Sequence, residues 1–110
     1  MSTPGDPVGA VFSALADPTR RQLVETLARG SAATPTSLAA DLPITRQAVT
    51  KHLHALSDAG LVSASRAGRE TRYELTPQAF GQATGWLAAV GADWDQRLSR
   101  LERILRKRGV

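Results

Sequence analysis

Residues 44 to 75, ITRQAVTKHLHALSDAGLVSASRAGRETRYEL, place one amphipathic helix directly before two short alternating segments. Val49, Leu53 and Leu56 recur at spacings of four and three, so they share one face of a helix. Gly60 follows the last apolar turn, where a residue that tolerates the left-handed conformation ends a helix. A helix, a stop and a predicted hairpin in immediate succession are compatible with few folds.

The polar face of this helix carries side chains that suit base edges and phosphates, with Asp58 as the exception. Gln pairs with adenine, Thr contacts a base edge or a thymine methyl group, and Lys meets guanine or phosphate. The alternative is a solvated surface helix with an ordinary polar face. The candidate DNA-binding residues on this helix are Thr45, Arg46, Gln47, Thr50, Lys51 and His54.

The segment after Gly60 predicts a two-stranded hairpin. Leu61 and Val62 begin one strand, and residues 71 to 75 alternate as a second strand. Residues 65 to 70 lie between them as a predicted tip, with Gly68 suited to a turn. Three arginines at or near this tip suit phosphate contacts or a minor groove, although arginines on a hairpin also serve as a solubilising surface. They are Arg66, Arg69 and Arg72.

Upstream signals complete a helix-turn-helix. Asp17 can cap a helix that has Pro18 at its first position, and Gly30 ends that helix. Residues 31 to 35 form a predicted loop, and a short helix follows over about residues 35 to 41. Pro43 makes the turn before the longer helix. The chain is therefore predicted to be mainly α with a small β-hairpin: a winged helix-turn-helix whose longer second helix reads DNA.

Three collinear segments resemble the ArsR/SmtB-type family of bacterial winged-helix repressors. They are ALADPTRRQLVETLARG, SLAADLPITRQAVTKHLHALSDAGLV and GRETRYELT. The resemblance covers residues 11 to 75 well and the last third more loosely. It implies a homodimeric, DNA-binding and usually repressing protein.

The sequence departs from the metal-sensing members of that family, which the resemblance associates with thiolate ligands before the helix-turn-helix and with Asp and His on the last helix. The chain has no cysteine. Its last helix has Asp93, Asp95 and Glu102 but no His. His52 and His54 are two residues apart on one helix, so they point to different faces and cannot chelate one ion. We therefore expect no metal site, no cofactor and no thiol-based redox sensing.

The last third predicts one long helix, which Thr76 can cap and Pro77 can begin. Its apolar residues step by threes and fours over a length close to a coiled-coil repeat. Since the preceding domain has its own predicted core, this seam favours a second copy as its partner; the alternative is that it folds back on its own domain. The first helix, over about residues 8 to 16, joins the predicted interface. The candidate dimer-interface residues are Val11, Phe12, Leu87, Val90, Trp94, Leu98, Leu101 and Leu105.

The chain has 110 residues, which is enough for one domain. Its formal net charge of +4 favours an anionic partner. We divide it into a disordered lead (1–7), a winged helix-turn-helix domain (8–76) and a dimerisation helix of the same domain (77–108). The last of these has a basic end that suits a solvated face or dimer rim, or else contact with DNA or a membrane. Its basic residues are Arg97, Arg100, Arg103, Arg106, Lys107 and Arg108.

These patterns predict a sequence-specific regulator that binds double-stranded DNA, acting as a homodimeric repressor on a palindromic operator. The alternative is a winged-helix module for protein–protein contact, which need not keep Lys51 on one side with the hairpin arginines. An enzyme is disfavoured because no catalytic constellation is visible. A small-molecule effector and control by protein abundance both stay open. No signal peptide or long apolar run is present, so we expect a cytoplasmic protein, at the nucleoid when bound, without membrane contact.

Overall fold

The computed structural model describes residues 5 to 109, which form five helices and one two-stranded antiparallel sheet. This arrangement confirms the predicted fold class, a mainly α winged helix-turn-helix with a small hairpin and a long last helix. In chain order the elements are α1 (Pro7–Leu15), α2 (Pro18–Arg29), α3 (Pro35–Ala40), α4 (Arg46–Asp58), β1 (Val62–Ala67), β2 (Glu70–Leu75) and α5 (Pro77–Lys107).

The first two helices begin at an aspartate followed by proline. Asp6 Oδ1 accepts from the Gly9 N–H at 2.9 Å, and Asp17 Oδ1 accepts from the Thr19 N–H at 2.8 Å. Proline suits the first helical position because its missing N–H would have no partner there. Asp6 and Pro7 therefore belong to α1 and its cap, and not to the predicted lead over residues 1–7. Residues 1 to 4 of that lead lie outside the described residues.

A reciprocal cap starts the helix-turn-helix at α3. Thr34 Oγ1 accepts from the Ser37 N–H, and Ser37 Oγ accepts from the Thr34 N–H, both at 3.1 Å. This capping box satisfies two backbone donors that the helix itself cannot satisfy. Leu38 is 2% exposed and anchors α3 to the core. The chain then turns over residues 41 to 45 and enters α4, as the sequence predicts.

Gly60 ends α4 in the way that the sequence predicts. Its φ angle is +79°, its N–H donates to Ser57 O at 2.9 Å, and the Leu61 N–H donates to Leu56 O at 3.0 Å. These two bonds are the Schellman pattern, in which a left-handed residue lets two terminal carbonyls find donors. The chain reverses there and enters the hairpin, so the position of the wing depends on this glycine.

The hairpin is tighter than the sequence suggests. Its register runs from Val62 opposite Leu75 to Ala67 opposite Glu70, which leaves a two-residue turn with Gly68 at φ +66°. The predicted tip over residues 65 to 70 is therefore wrong, because most of that segment is paired strand. A two-residue turn with a positive φ matches the twist of the flanking strands and needs no longer loop.

A short bridge ties the hairpin to the segment before α3. The Ala33 N–H donates to Tyr73 O at 3.0 Å, and the Tyr73 N–H donates to Ala33 O at 2.8 Å. The sequence predicts a loop over residues 31 to 35, and the bridge lies within it. The bridge holds β2 beside the beginning of the helix-turn-helix.

One core is shared by the helices and the base of the hairpin. Val11 is 1% exposed and belongs to this core, whereas the adjacent Phe12 is 40% exposed. Successive helical residues lie about 100° apart, so only one of the two can face inward. The prediction that Val11 belongs to a dimer interface is therefore wrong for its side chain. The main fully buried side chains are Val11, Leu23, Leu38, Val49, Leu53, Leu56 and Leu61.

Only the first turns of α5 belong to that core. Ala79 and Ala83 are buried and Phe80 is half-buried, whereas residues 84 to 109 are exposed. Thr76 occupies the N-cap position, but its side chain makes no capping hydrogen bond, which corrects its predicted role. The helix has 31 residues and so measures about 46 Å, consistent with a longest molecular dimension of 69 Å.

Candidate nucleic-acid interface

The outward face of α4 presents the polar residues that the sequence predicts. Arg46, Gln47, Lys51 and His54 are exposed, and Thr50 is half-buried. The Thr50 hydroxyl donates to Arg46 O at 3.0 Å. This bond uses its proton but leaves its methyl group and oxygen lone pairs for a ligand.

The N-cap of α4 has a structural task of its own. Thr45 Oγ1 accepts from the Ala48 N–H at 3.1 Å, as the sequence predicts for a cap. Thr45 is exposed and lies at the N-terminal end of α4. Recognition helices turn this end toward base edges. The cap holds the hydroxyl in place beside Arg46 and Gln47.

An open hollow of about 560 Å³ separates α4 from the hairpin. Four predicted DNA-binding residues of α4 line one side of it, and one predicted arginine of the hairpin lines the other. The hollow therefore brings together base-reading side chains and a guanidinium group suited to phosphate. Its lining includes Arg46, Gln47, Thr50 and His54 from α4 and Arg69 and Thr71 from the hairpin.

The three hairpin arginines occupy different positions. Arg69 lies in the turn and lines the hollow. Paired residues share a face of the sheet, so Arg66 lies on the face of Thr71 and Tyr73. Arg72 pairs with Ser65 and lies on the opposite face, within 4.0 Å of the Glu70 carboxylate. The predicted cluster of three is therefore two residues near the turn and one turned away.

Sequence reasoning missed several residues of this site. Thr34 and Thr36 reach the hollow from the start of α3, and Glu70 and Thr71 reach it from β2. The signal for the threonines was their place at the start of the short helix before α4. Glu70 adds a carboxylate that opposes phosphate binding, and its ion pair with the exposed Arg72 offsets part of that charge.

The two histidines have separate roles. His54 is exposed and lines the hollow. His52 is half-buried, and its Nδ1 accepts a hydrogen bond from Arg20 Nε of α2 at 3.3 Å. Among residues 5 to 109, no group of three or more His, Cys, Asp or Glu side chains is placed to hold a metal ion.

The carboxyl group of Asp17 lies beside this contact. The Arg20 N–H, which donates to Asp17 Oδ1 at 3.2 Å, is the main reason why the pKa of Asp17 lies below its ordinary value. Burial opposes that shift, and the Thr19 N–H and the charges of His52 and Arg20 reinforce it. The ionised carboxylate is therefore the form that caps α2.

A second surface is apolar and lies on α1 and α5. Phe12 and eight residues of α5 are each at least 40% exposed, although all are large and hydrophobic. Single exposed apolar residues are normal, but a continuous row of this size marks an interaction surface. Sequence reasoning omitted Trp86 and Ile104 from this row, although both continue it. The α5 residues are Trp86, Leu87, Val90, Trp94, Leu98, Leu101, Ile104 and Leu105.

Across the described part of the chain, none of the helices combines the length and hydropathy needed to span a membrane.

Comparison with known proteins gives consistent similarities. A family described as a helix-turn-helix domain matches residues 15–63. The HTH-type transcriptional regulator Rv2034 of Mycobacterium tuberculosis is 45% identical over 100 residues, which cover 91% of this chain and 85% of that protein. This relative matches far more than the helix-turn-helix, so the similarity extends into the hairpin and α5.

Two solved structures agree with the described fold. An ArsR-like transcriptional regulator from Rhodococcus sp. superposes with a TM-score of 0.79 at 38% identity, covering 92% of this chain and 94% of that one. A homodimeric winged helix-turn-helix domain of a possible ArsR-family regulator from Mycobacterium bovis has a TM-score of 0.64 at 29% identity, with 80% of each chain covered.

Proposed function

The chain belongs to the ArsR/SmtB-type family of winged helix-turn-helix transcriptional regulators, and we propose that it is a homodimeric repressor of a palindromic operator. Family membership makes it a DNA-binding regulator and not an enzyme. The residues that read DNA, the dimer, the operator symmetry and the sign of regulation are the proposed parts.

The proposed DNA site rests on the hollow between α4 and the hairpin. Gln47 faces it from the first turn of α4, Thr50 and His54 face it from farther along the same helix, and Arg69 faces it from the hairpin turn. Short polar side chains at fixed positions on a helix suit base edges, whereas an exposed guanidinium on a turn suits phosphate. Arg46 and Lys51 extend the basic surface along α4. Arg66 extends it along the wing, and Arg72 contributes only long-range charge.

The row of exposed apolar residues on α1 and α5 supports the homodimer. The protomer's own helices leave Trp94, Leu98 and Leu101 at 58%, 42% and 51% exposure. Complete burial of a large apolar side chain contributes about 1.5–3 kcal/mol, so burial of the part still exposed contributes roughly half of that for each residue. A second copy is the simplest partner for such a surface, because most soluble oligomers are homo-oligomers with closed symmetry. The Mycobacterium bovis relative is described as homodimeric, which agrees with this proposal.

A symmetric dimer implies a symmetric site on DNA. Two copies of α4 would enter successive major grooves whose half-sites lie about 34–36 Å apart. The operator is then an imperfect palindrome, and occupancy of such a site near a promoter represses transcription by blocking access. We therefore expect the protein in the cytoplasm, at the nucleoid when it is bound to DNA.

We expect no metal cofactor, because the chain has no cysteine and His52 is engaged with Arg20. A small-molecule effector between protomers is compatible with the apolar surface, but no residue constellation specifies its chemistry. The alternative of a protein–protein module without DNA binding is disfavoured by family membership.

Genome-wide recovery of bound DNA, followed by footprinting of the most enriched site, tests this function. The proposal expects a discrete set of sites and a protected region with two symmetric half-sites about one helical turn apart. A protein that recovers no enriched sites, or that protects one asymmetric half-site as a monomer, would contradict the proposal.

A further inference from the structure

We propose that Arg20 is a positioning residue for DNA reading, because its hydrogen bond to His52 fixes the rotation of α4 about its own axis. This inference rests on the proposed role of α4 as the reading helix. Arg20 itself lies outside the hollow and contacts none of the base-reading side chains.

The Arg20 side chain joins three helices. Its Nε donates to His52 Nδ1 at 3.3 Å, and its Nη1 donates to Ala14 O at 3.4 Å. Ala14 is in the last turn of α1, where carbonyl groups lack helical partners. Both bonds are partly buried, so water competes with them less than at an exposed site. One guanidinium therefore links the end of α1 to the middle of α4.

The backbone that carries Arg20 is itself fixed. Arg20 is the third residue of α2, after Pro18 and Thr19, and its N–H donates to the capping carboxylate of Asp17. Proline restricts the first helical position, and the cap holds the first turn. The guanidinium thus extends from a rigid base, which a positioning residue requires.

The Arg20–His52 bond adds a directional restraint to the apolar packing of α4. Val49, Leu53 and Leu56 are 0% exposed, so they hold the helix at a fixed depth in the core. Hydrophobic burial is non-directional, whereas a hydrogen bond depends on distance and angle. His52 lies on the flank of α4 toward α2, and His54 lies on the flank toward the wing. A bond at His52 therefore constrains the opposite, DNA-facing flank.

Small rotations matter for base reading. At a side-chain radius of about 5–6 Å, a rotation of about 10° displaces Gln47 and His54 by roughly 1 Å. Hydrogen bonds to base edges weaken steeply beyond their normal distance. Contacts of flexible arginines and lysines with phosphate adapt to such a shift. Loss of the Arg20–His52 bond should therefore reduce operator affinity more than affinity for unrelated DNA.

The chain offers a matched control in Arg21. Its Nη1 donates to Leu15 O at 2.6 Å and to Ala16 O at 3.1 Å, so it also ties α2 to the end of α1. No hydrogen bond of the described residues joins Arg21 to α4. Arg21→Gln therefore removes a similar charge and a similar link between helices without touching the contact at His52.

The test compares operator and unrelated DNA in fluorescence anisotropy titrations with full-length protein. Arg20→Gln should lower operator affinity about tenfold and leave affinity for unrelated DNA within about twofold. Arg21→Gln should leave the ratio of the two affinities unchanged. The inference would be overturned if both variants reduced the ratio of the two affinities equally, or if Arg20→Gln left that ratio unchanged.

Variants of His52 examine the bond from its other side, which also covers an Arg20 variant that folds poorly. His52→Asn keeps an acceptor near the position of Nδ1 and should retain most of the ratio of operator affinity to affinity for unrelated DNA. His52→Leu should reduce that ratio as much as Arg20→Gln does. The double variant Arg20→Gln, His52→Leu should be no worse than either single variant. Additive losses would contradict a shared bond. A wild-type protein with no DNA sequence preference would instead overturn the proposed function itself.

Discussion

Phe12 of α1 and Trp86 of α5 meet edge to face, with ring centroids 5.7 Å apart and an interplanar angle of 69°. Pairs in this geometry contribute roughly 0.5–1.5 kcal/mol beyond the area that they bury. Phe12 nevertheless remains 40% exposed and Trp86 50% exposed. The pair therefore fixes α1 against α5 and leaves an apolar edge at the beginning of the proposed dimer surface.

Dimerisation should depend on the apolar row farther along α5. Trp94→Ala combined with Leu98→Ala removes two large side chains that are 58% and 42% exposed in the protomer. The double variant should shift from dimer to monomer in sedimentation equilibrium at micromolar concentration, because the area lost contributes to association and not to the protomer core.

Gln96 and Ser99 provide the control, since both lie on the polar side of the same helix. Gln96→Ala combined with Ser99→Ala should leave the dimer intact. A wild-type protein that sediments as a stable monomer would refute the dimer, and equal weakening by both double variants would refute the assigned face.

Stability should depend on the left-handed glycine that ends α4. Gly60→Ala places a Cβ at φ +79°, which costs about 1–2 kcal/mol of unfolding free energy. Space is not the cause, because the added Cβ would meet Ala79 Cβ at an ordinary 3.8 Å. Gly81→Ala is the control, with an expected effect of opposite sign. Gly81 lies within α5, and a Cβ added there would have no neighbour within 4 Å, so the substitution should raise the unfolding free energy by about 0.5–1 kcal/mol. Urea denaturation that finds Gly60→Ala neutral would exclude this explanation.

The cap of α2 should make stability depend on pH. The pKa of Asp17 is lowered in the folded protein, so its contribution is fully present above the ordinary carboxyl pKa of 3.8 and is lost as the pH falls through the lowered value. Asp17→Asn keeps a capping oxygen without this titration. The unfolding free energies of wild type and Asp17→Asn should therefore converge as the solution is made more acidic. A difference that stays constant through the acid range would mean that Asp17 does not titrate as described.

Metal ions should have no effect on DNA binding. The chain has no cysteine, and the two histidines of α4 serve different surfaces. Calorimetric titration with zinc, nickel, copper or arsenic should show no tight stoichiometric binding, and operator affinity should not respond. A site of one ion per chain with submicromolar affinity that releases DNA would contradict this prediction.

The sequence predicts the parts of this fold that depend on local signals. The apolar spacing of α4, its cap at Thr45 and its stop at Gly60 are each set by residues within a few positions, and the structure confirms them. The hairpin tip was misplaced because Ser65 and Arg66 have no local feature that separates strand from loop. Their state follows from pairing with β2, which the register decides.

Long-range contacts are the parts that the sequence does not predict. Val11 and Phe12 are both apolar neighbours on α1, and only packing against α5 and the core decides which of them faces inward. The Arg20–His52 bond joins residues 32 positions apart, and neither residue type specifies that partner. Residues facing the hollow were predicted on α4, whose face is periodic, but were missed on α3 and β2.

The proposed reading of DNA separates Gln47 from Arg69. Gln47 lies in the first turn of α4 and lines the hollow, so Gln47→Ala should relax preference at one base position of each half-site, at a cost of about 1–3 kcal/mol. Arg69 lies in the turn of the wing and should contact the backbone. Arg69→Ala should therefore weaken binding to all sequences alike and reduce the salt slope by about one unit per chain.

Gel-shift titrations over a salt series, with the footprinted palindrome and its single-base variants, separate base reading from backbone contact. Gln47→Ala, Thr50→Ala and His54→Ala should each alter base preference with little change in salt slope, and Arg69→Ala should do the reverse. If all three α4 variants leave base preference unchanged, α4 is not the helix that reads the operator.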